Sequence, residues 1–260
     1  MIKSINKKVG LIGSPVYHSK SPNIYANMFS KEKINGSFTV LDISPNDFMH
    51  IKKIIRANRL DYFAVTMPYK EKIINYCDNL SEESKFLNSV NFVKVDYDKE
   101  NNCSFTGYST DGDGFVISIK ERGINLVNKK VLIYGAGGAA ASITYSLKRE
   151  GAIVTVSARN IDKLKSFAEH FNVLYSCGLN LSKFDIFINA TPLGMTNKEQ
   201  FSTFDFLLTA NKDLFVYDLI YFPEETKLLK SAKELGLSYC NGNYMLISQA
   251  KLAFSILKKN

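Results

Sequence analysis

Lys130-Val131-Leu132-Ile133-Tyr134 is a short apolar run that breaks into Gly135-Ala136-Gly137-Gly138-Ala139-Ala140 and then into a helical stretch. A buried strand that must turn at once into a helix, with almost no side chain at the turn, is the opening of a βαβ unit on a parallel sheet. Gly135, Gly137 and Ala140 fit G-x-G-x-x-G/A, with alanine at the third place. Gly135 serves the tight turn, Gly137 lets the backbone approach a pyrophosphate, and Ala140 lets the helix pack on the strand. The helix start then offers free N–H groups and a positive dipole end to the phosphates. A merely tight strand–helix turn would use the same residues, so the reading depends on what surrounds it.

What surrounds it is an alternation of short β-like runs and amphipathic helical stretches, the pattern of an α/β fold with mostly parallel sheets. Strands are expected at Val9–Gly13, Phe38–Leu41 and Tyr62–Thr66. Phe92–Val95 and Cys103–Thr106 read as a hairpin around the polar turn 98–102. One helix begins at Ser21-Pro22, with serine as N-cap and proline at the first helical position. Ser44-Pro45 repeats that signal ahead of a helix running to Asn58. A second unit follows Gly107, with the glycine-turn helix ended by Gly151 as its C′ residue. Strand Ile153–Ser157, helix Ile161–His170, strands Ile186–Asn189 and Phe215–Asp218, and a helix from Glu224 to Gly236 continue it. A last helix, Tyr244–Lys258, carries Met245, Leu246, Ala250, Ala253 and Ile256 on an apolar stripe expected to pack back onto the first domain. At about 150 residues per domain, 260 residues suit one large or two modest domains.

Composition removes several classes of function. The chain is 45% hydrophobic and 22% charged, enough apolar surface to argue against wholesale disorder. No apolar run approaches the roughly 18 residues of a membrane helix. Met1-Ile2-Lys3-Ser4 leads almost directly into a strand, with no signal-peptide core. The net charge of +8 comes from scattered lysines, clustered only in pairs such as Lys7-Lys8 and Lys258-Lys259. That pattern favours a solvated basic surface with an anion site over nucleic acid. Cys77, Cys103, Cys177 and Cys240 form no CxxC, so neither zinc nor a disulfide framework is indicated and a reducing cytoplasm is expected. The three histidines have no ligand spacing, and no metal is expected.

The end of the second strand of the glycine unit bears on the cofactor. NAD-binding units place an acid about 20 residues beyond the turn, on the ribose hydroxyls. Here the stretch is Ser157-Ala158-Arg159-Asn160, with no acid before Asp162. Arg159 can meet a 2′-phosphate, which favours NADP; a surface arginine at a helix start is the plainer alternative. Three polar constellations lie in strand-to-helix loops of the first domain. In His18-Ser19-Lys20-Ser21-Pro22, two hydroxyls can hold neighbouring oxygens of a polyol or carboxylate, or Ser21 is only a cap. In Thr66-Met67-Pro68-Tyr69-Lys70, the lysine can act as a general acid or base or pair with an anion, or is simply solvated. In Ser109-Thr110-Asp111-Gly112, the aspartate can hold a hydroxyl and orient a lysine, or N-cap the helix towards Arg122.

Together these residues resemble the shikimate dehydrogenase family. Gly13 to Pro22 matches its glycine-led loop ending HSKSP, and Ala64-Val65-Thr66-Met67-Pro68-Tyr69-Lys70 its NVTxPxK motif. Val90-Asn91, Ser109-Thr110-Asp111-Gly112, Gly135–Ala139, Ile188-Asn189-Ala190-Thr191, Tyr217-Asp218-Leu219-Ile220-Tyr221 and Asn241–Ala250 follow in the family's order. The likeness is collinear from about residue 9 to 253. It implies an N-terminal α/β substrate domain, 1–110 with 243–260, and a Rossmann-type NADP-binding domain, 111–242, with the C-terminal helix returning to the first. It implies NADPH-dependent reduction of 3-dehydroshikimate to shikimate, on the route through chorismate to the aromatic amino acids. By matching positions, Lys70 and Asp111 are the implied catalytic pair. Ser19, Ser21, Thr66, Asn91, Tyr221 and Gln249 are implied on the substrate. Gly135, Ala136, Gly137, Gly138, Ala139, Arg159, Thr191, Leu219 and Gly242 are implied on NADP.

The chain departs from the family at Ala64, Ser109, the Ala158-Arg159-Asn160 triplet and Tyr244, where a glycine is usual and a ring would crowd the cleft. The expected partner is a small molecule, with no nucleic acid and no membrane, for a monomer or homodimer. Two other readings differ in kind. A quinate/shikimate dehydrogenase using NAD would show an acid at the ribose position. A non-catalytic NADP-binding sensor would have lost the lysine or the aspartate. Glycines at the two chain crossings, Gly107–Asp111 and Gly242, suit hinges that would let a cleft close on its ligands.

Overall fold

The computed structural model describes residues 6–16 and 19–258. Residues 1–5, Tyr17 and His18 of the first motif, and Lys259 and Asn260 lie outside the described residues. Cα packing divides the chain into two compact units: one runs to Thr110 and is taken up again at Ala250, the other is Asp111–Gln249. The divide falls inside the last helix.

The first unit comprises β1 (Lys7–Gly13), α1 (Ser21–Lys31), β2 (Gly36–Asp42), α2 (Ile51–Asn58), β3 (Tyr62–Val65), β4 (Asn79–Leu80), α3 (Glu82–Leu87), β5 (Phe92–Tyr97) and β6 (Cys103–Tyr108). Its sheet has the order β2-β1-β3-β5-β6-β4. The first three strands are parallel, but β5 is antiparallel to both β3 and β6. The sheet is still mostly parallel, since β4 also pairs parallel with β6, and its antiparallel part is the hairpin expected around the polar turn at 98–102. Asp98 Oδ1 accepts the N–H groups of Glu100 and Asn102 there, fixing the turn within itself.

Two expectations shift. Ser21 is inside α1 and Lys20 is its cap residue, without a side-chain cap bond; the Ser19 hydroxyl accepts the Ser21 N–H instead. The Ser44 signal caps a short turn at Asp47, and α2 starts only at Ile51.

The second unit comprises α4 (Asp111–Lys120), β7 (Lys130–Tyr134), α5 (Gly138–Arg149), β8 (Ile153–Ser157), α6 (Ile161–Phe171), β9 (Leu174–Tyr175), β10 (Ile186–Asn189), β11 (Phe215–Asp218), α7 (Lys227–Glu234), β12 (Ser238–Cys240) and the start of α8 (Asn243–Lys258). Every strand pair is parallel, in the order β12-β11-β10-β7-β8-β9. Numbered within this sheet, that is the doubly wound order 3-2-1-4-5-6 with β7 first, and the switch point lies between β7 and β10. Ligands of such sheets bind at the carboxyl ends of strands beside that point. The helix expected from Glu224 begins only at Lys227, because Thr226 is its cap: the Thr226 side chain accepts the Leu229 N–H.

The second half of α8 completes the first unit. Ala250, Ala253, Phe254 and Leu257 pack with Val9, Tyr25, Phe29, Tyr62 and Phe92 in one cluster. Phe254 meets Phe29 edge-on at 5.4 Å, an arrangement that suits aromatic quadrupoles. Of the expected stripe, Ala250 and Ala253 are buried and Ile256 flanks the cluster, while Met245 and Leu246 are only half-buried and lie outside it.

Candidate active site

In the first unit, backbone hydrogen bonds tie together the loops that follow the strands. The Thr66 N–H donates to Ile12 O at 2.9 Å, and Ser14 N–H to Met67 O at 3.0 Å. These bonds hold the turn after β3 against the end of β1, where Gly13 leaves room for the Thr66 methyl. Tyr69 anchors the turn below: its ring stacks on Phe48 at 4.0 Å, and its hydroxyl donates to Ile43 O. Lys70 is thus lifted, half-buried, on a turn whose neighbours cannot easily move.

The lysine is also linked to the last residues of this unit. Val90 N–H donates to Lys70 O at 2.9 Å. The next residue, Asn91, takes the Thr110 N–H on its side-chain oxygen at 2.7 Å and donates its amide to Thr110 Oγ at 3.0 Å. Asn91 and Thr110 are both buried. Two implied substrate and catalytic positions, Asn91 and Lys70, are therefore knit to Thr110, one peptide bond before Asp111. Ser19 and Ser21 stand half-buried at the start of α1, with the Ser19 hydroxyl already engaged by the backbone of Ser21.

In the second unit, Asp111 opens α4 and is buried. A Cβ on Gly114 would stand 2.6–2.7 Å from Gln249 Cβ, Cα and N, so α4 and α8 touch backbone to backbone there. This close approach brings Gln249 to the end of α4 that carries Asp111.

The glycine turn lies at the carboxyl end of β7. Gly135 has φ +133°, and a Cβ there would stand 2.8 Å from Ala190 O. Only glycine fits this conformation at this spacing. By contrast, Gly137 and Gly138 have nothing within 4 Å of where a side chain would begin. The N-cap of α5 is Gly137, which has no side chain to take the first N–H groups of the helix. This is a cradle for an anion with a glycine floor, and a pyrophosphate fits it. Beside it lies a cavity of about 430 Å³, lined among others by Tyr134, Arg159, Leu193, Gln200 and Phe201. Arg159 lies just beyond the end of β8 and is ion-paired at 2.5 Å to Glu199, which holds its guanidinium further above its ordinary range.

The remaining implied cofactor positions lie in this same unit. Asn189, at the end of β10, takes both the N–H and the hydroxyl of Thr191 on Oδ1. Its amide donates to Asp218 Oδ1 at 3.0 Å. Asp218 also accepts from Thr226 Oγ at 2.6 Å and from Ile220 N–H at 3.1 Å, and is wholly buried. Gly242 N–H donates to Ile220 O at 3.0 Å, and a Cβ on Gly242 would lie 1.9 Å from Leu219 O. Leu219 and Gly242 are therefore pressed together.

Sequence reasoning gave Asp218 no role, although a carboxylate ending an apolar strand is a recognisable sign. Tyr244, expected there only as a ring that would crowd the cleft, has its ring over the Arg122 guanidinium at 3.7 Å. Among the described residues, no group of His, Cys, Asp or Glu side chains is placed to hold a metal. No helix among them is long and apolar enough to cross a membrane.

Burial raises the Asp218 carboxyl from its ordinary 3.8 to about 6, against the opposing pull of its hydrogen-bond donors. A folded value above the unfolded one means stability that is full below pH 3.8 and lost as pH rises through about 6. Asp218→Asn keeps the shape and removes the titration. Urea unfolding should show the variant gaining on the wild type between pH 4 and 7.5, by at most about 3 kcal/mol. A constant difference across that range would mean that Asp218 titrates as it does in water.

Comparison with known proteins agrees with this geometry. The sequence model of the shikimate dehydrogenase substrate binding domain matches residues 11–93. The shikimate dehydrogenase (NADP(+)) of Caldanaerobacter subterraneus subsp. tengcongensis is 36% identical, over 97% of this chain and 92% of that protein. The crystal structure of shikimate dehydrogenase from Aquifex aeolicus superposes with a TM-score of 0.87 at 31% identity, covering 98% of this chain and 94% of that one. A shikimate dehydrogenase solved in complex with NADP+ gives a TM-score of 0.86 at 32% identity, covering 98% and 91%.

Proposed function

The chain belongs to the shikimate dehydrogenase family, and from that premise we propose that it reduces 3-dehydroshikimate to shikimate with NADPH. The observation that carries this reading is the pairing of two features. One is the bare glycine cradle at the switch point of a doubly wound sheet. The other is the hydrogen-bonded run from Lys70 through Val90 and Asn91 to Thr110.

NADPH, held at Gly135–Ala139 with Arg159 on its 2′-phosphate, would supply the hydride to the carbonyl carbon. As the carbonyl oxygen gains charge, Lys70 Nζ stabilises it and gives up a proton to it. The Asp111 carboxylate accepts a hydrogen bond from a substrate hydroxyl. Ser19, Ser21 and Thr66 offer hydroxyls, and Gln249 an amide, to a ligand with one carboxylate and several oxygens. Asn91 acts at least as much by fixing Thr110 as by touching substrate, since its oxygen and amide both reach that residue.

The test is absorbance at the nicotinamide band, with shikimate and quinate offered in turn, each with NADP and with NAD. Turnover with shikimate and NADP is expected to exceed the other three combinations. A preference for quinate with NAD would overturn the reading. Arg159→Ala should raise the apparent KM for NADP by about tenfold or more while moving that for NAD little, as expected for a lost guanidinium–phosphate pair. Equal effects on the two would remove Arg159 from the 2′-phosphate.

A further inference from the structure

Arg159, two residues beyond β8, does not stand alone. The loop after β10 closes on itself: Gly194 N–H donates to Glu199 O at 3.0 Å, and Lys198 N–H to Met195 O at 3.2 Å. Gln200 caps the loop from the other side, donating to Lys198 O at 3.1 Å. The closed loop presents the Glu199 carboxylate to Arg159 Nη1 at 2.5 Å, with both side chains 69% exposed. Next to Glu199, Gln200 lines the same cavity as Arg159 and Tyr134, directly beside the glycine turn. A carboxylate thus occupies the one cation that separates the two nicotinamide cofactors on the reading above.

We propose that Glu199 is a specificity-determining residue that restrains the preference for NADP by competing with the 2′-phosphate for Arg159. This inference rests on the proposed binding of the 2′-phosphate at Arg159. A phosphate dianion arriving at the guanidinium must displace the carboxylate or share the guanidinium with it, and either way it meets like charge. A 2′-hydroxyl brings no charge, so NAD binding is indifferent to that repulsion. Exposed pairs of this kind are weak enough to exchange partners on binding. Discrimination is therefore set by the Arg159–Glu199 pair, and the arginine alone would discriminate more strongly.

The experiment is calorimetric titration of the full chain with NADP+, NAD+ and adenosine 2′,5′-bisphosphate, comparing wild type, Glu199→Gln and Arg159→Ala. Glu199→Gln should tighten NADP+ and the bisphosphate by about fivefold and move NAD+ less than about twofold. High salt should shrink the gain, because the pair is exposed. If Arg159→Ala weakens NADP+ while Glu199→Gln leaves the NADP+ to NAD+ ratio unchanged, Glu199 is a bystander and only this inference falls. If Arg159→Ala leaves NADP+ binding unchanged, the 2′-phosphate lies elsewhere and the cofactor reading falls with it.

Discussion

Lys70→Ala is expected to lower turnover by about a hundredfold or more while shikimate still binds measurably, the scale of a positioned acid–base group. The backbone of the turn does not depend on this side chain. The Lys70 carbonyl keeps its hydrogen bond from Val90, and Tyr69 keeps its stack on Phe48, so the turn survives the loss of the side chain. Steady-state kinetics should show kcat falling with KM nearly constant, and calorimetry should show the shikimate affinity within a few-fold of wild type. A variant that keeps most of its kcat but loses affinity would make Lys70 a binding group, and the proton would have to come from elsewhere.

The second large effect is structural. Gly242→Ala would drive a methyl to 1.9 Å from Leu219 O and 2.6 Å from its carbonyl carbon. The obstacle is backbone, and the Gly242 N–H to Ile220 O bond holds the two segments at that distance. Relief requires breaking the bond or moving the start of α8. Overpacking of this severity costs about 3 kcal/mol or more, which for a domain of this size lowers Tm by roughly 10 °C. Because Leu219 and Gly242 are both proposed to touch the cofactor, NADP+ affinity should fall in the same variant. A Tm within about 2 °C of wild type would mean that the segments part easily and that the close approach has little structural weight.

The second unit was largely legible from sequence, and the reasons are local. Its four inner strands are mostly apolar runs, and Gly135, Gly151 and Gly236 punctuate them at positive φ, as caps and turns require, while the short edge strands β9 and β12 were not expected. The first unit was harder. The two-residue β4 and the short α3 carry too few apolar residues for periodicity to register, and β4 exists only because Asn79 and Leu80 pair with β6. Hydroxyl residues near helix starts misled for a related reason. Ser19 accepts the Ser21 N–H where Ser21 was expected to cap, and Thr226 caps a helix expected to start at Glu224, since a capping choice is settled by the path of the chain and not by composition. At the site, motifs could name residues but not their partners. Nothing local links Arg159 to Glu199, forty residues on, because the contact is made by loops brought together by the sheet, and no motif announces that Asp218 meets Thr226 across the β11–α7 connection.

The last helix has a consequence for how this protein comes into being. Val9, Tyr25 and Phe29 are made well before the wall they pack against, Ala250 to Leu257. At roughly 5–20 residues per second, that apolar cluster waits on the order of ten seconds or more with one side open to whatever else is in solution. The second unit has all its strands before then and can fold while the first is still unfinished. The second unit can thus complete its sheet before the first unit's cluster is covered. The last helical turns serve as a closing latch, and a chain cut short before Ala250 would leave that apolar cluster uncovered.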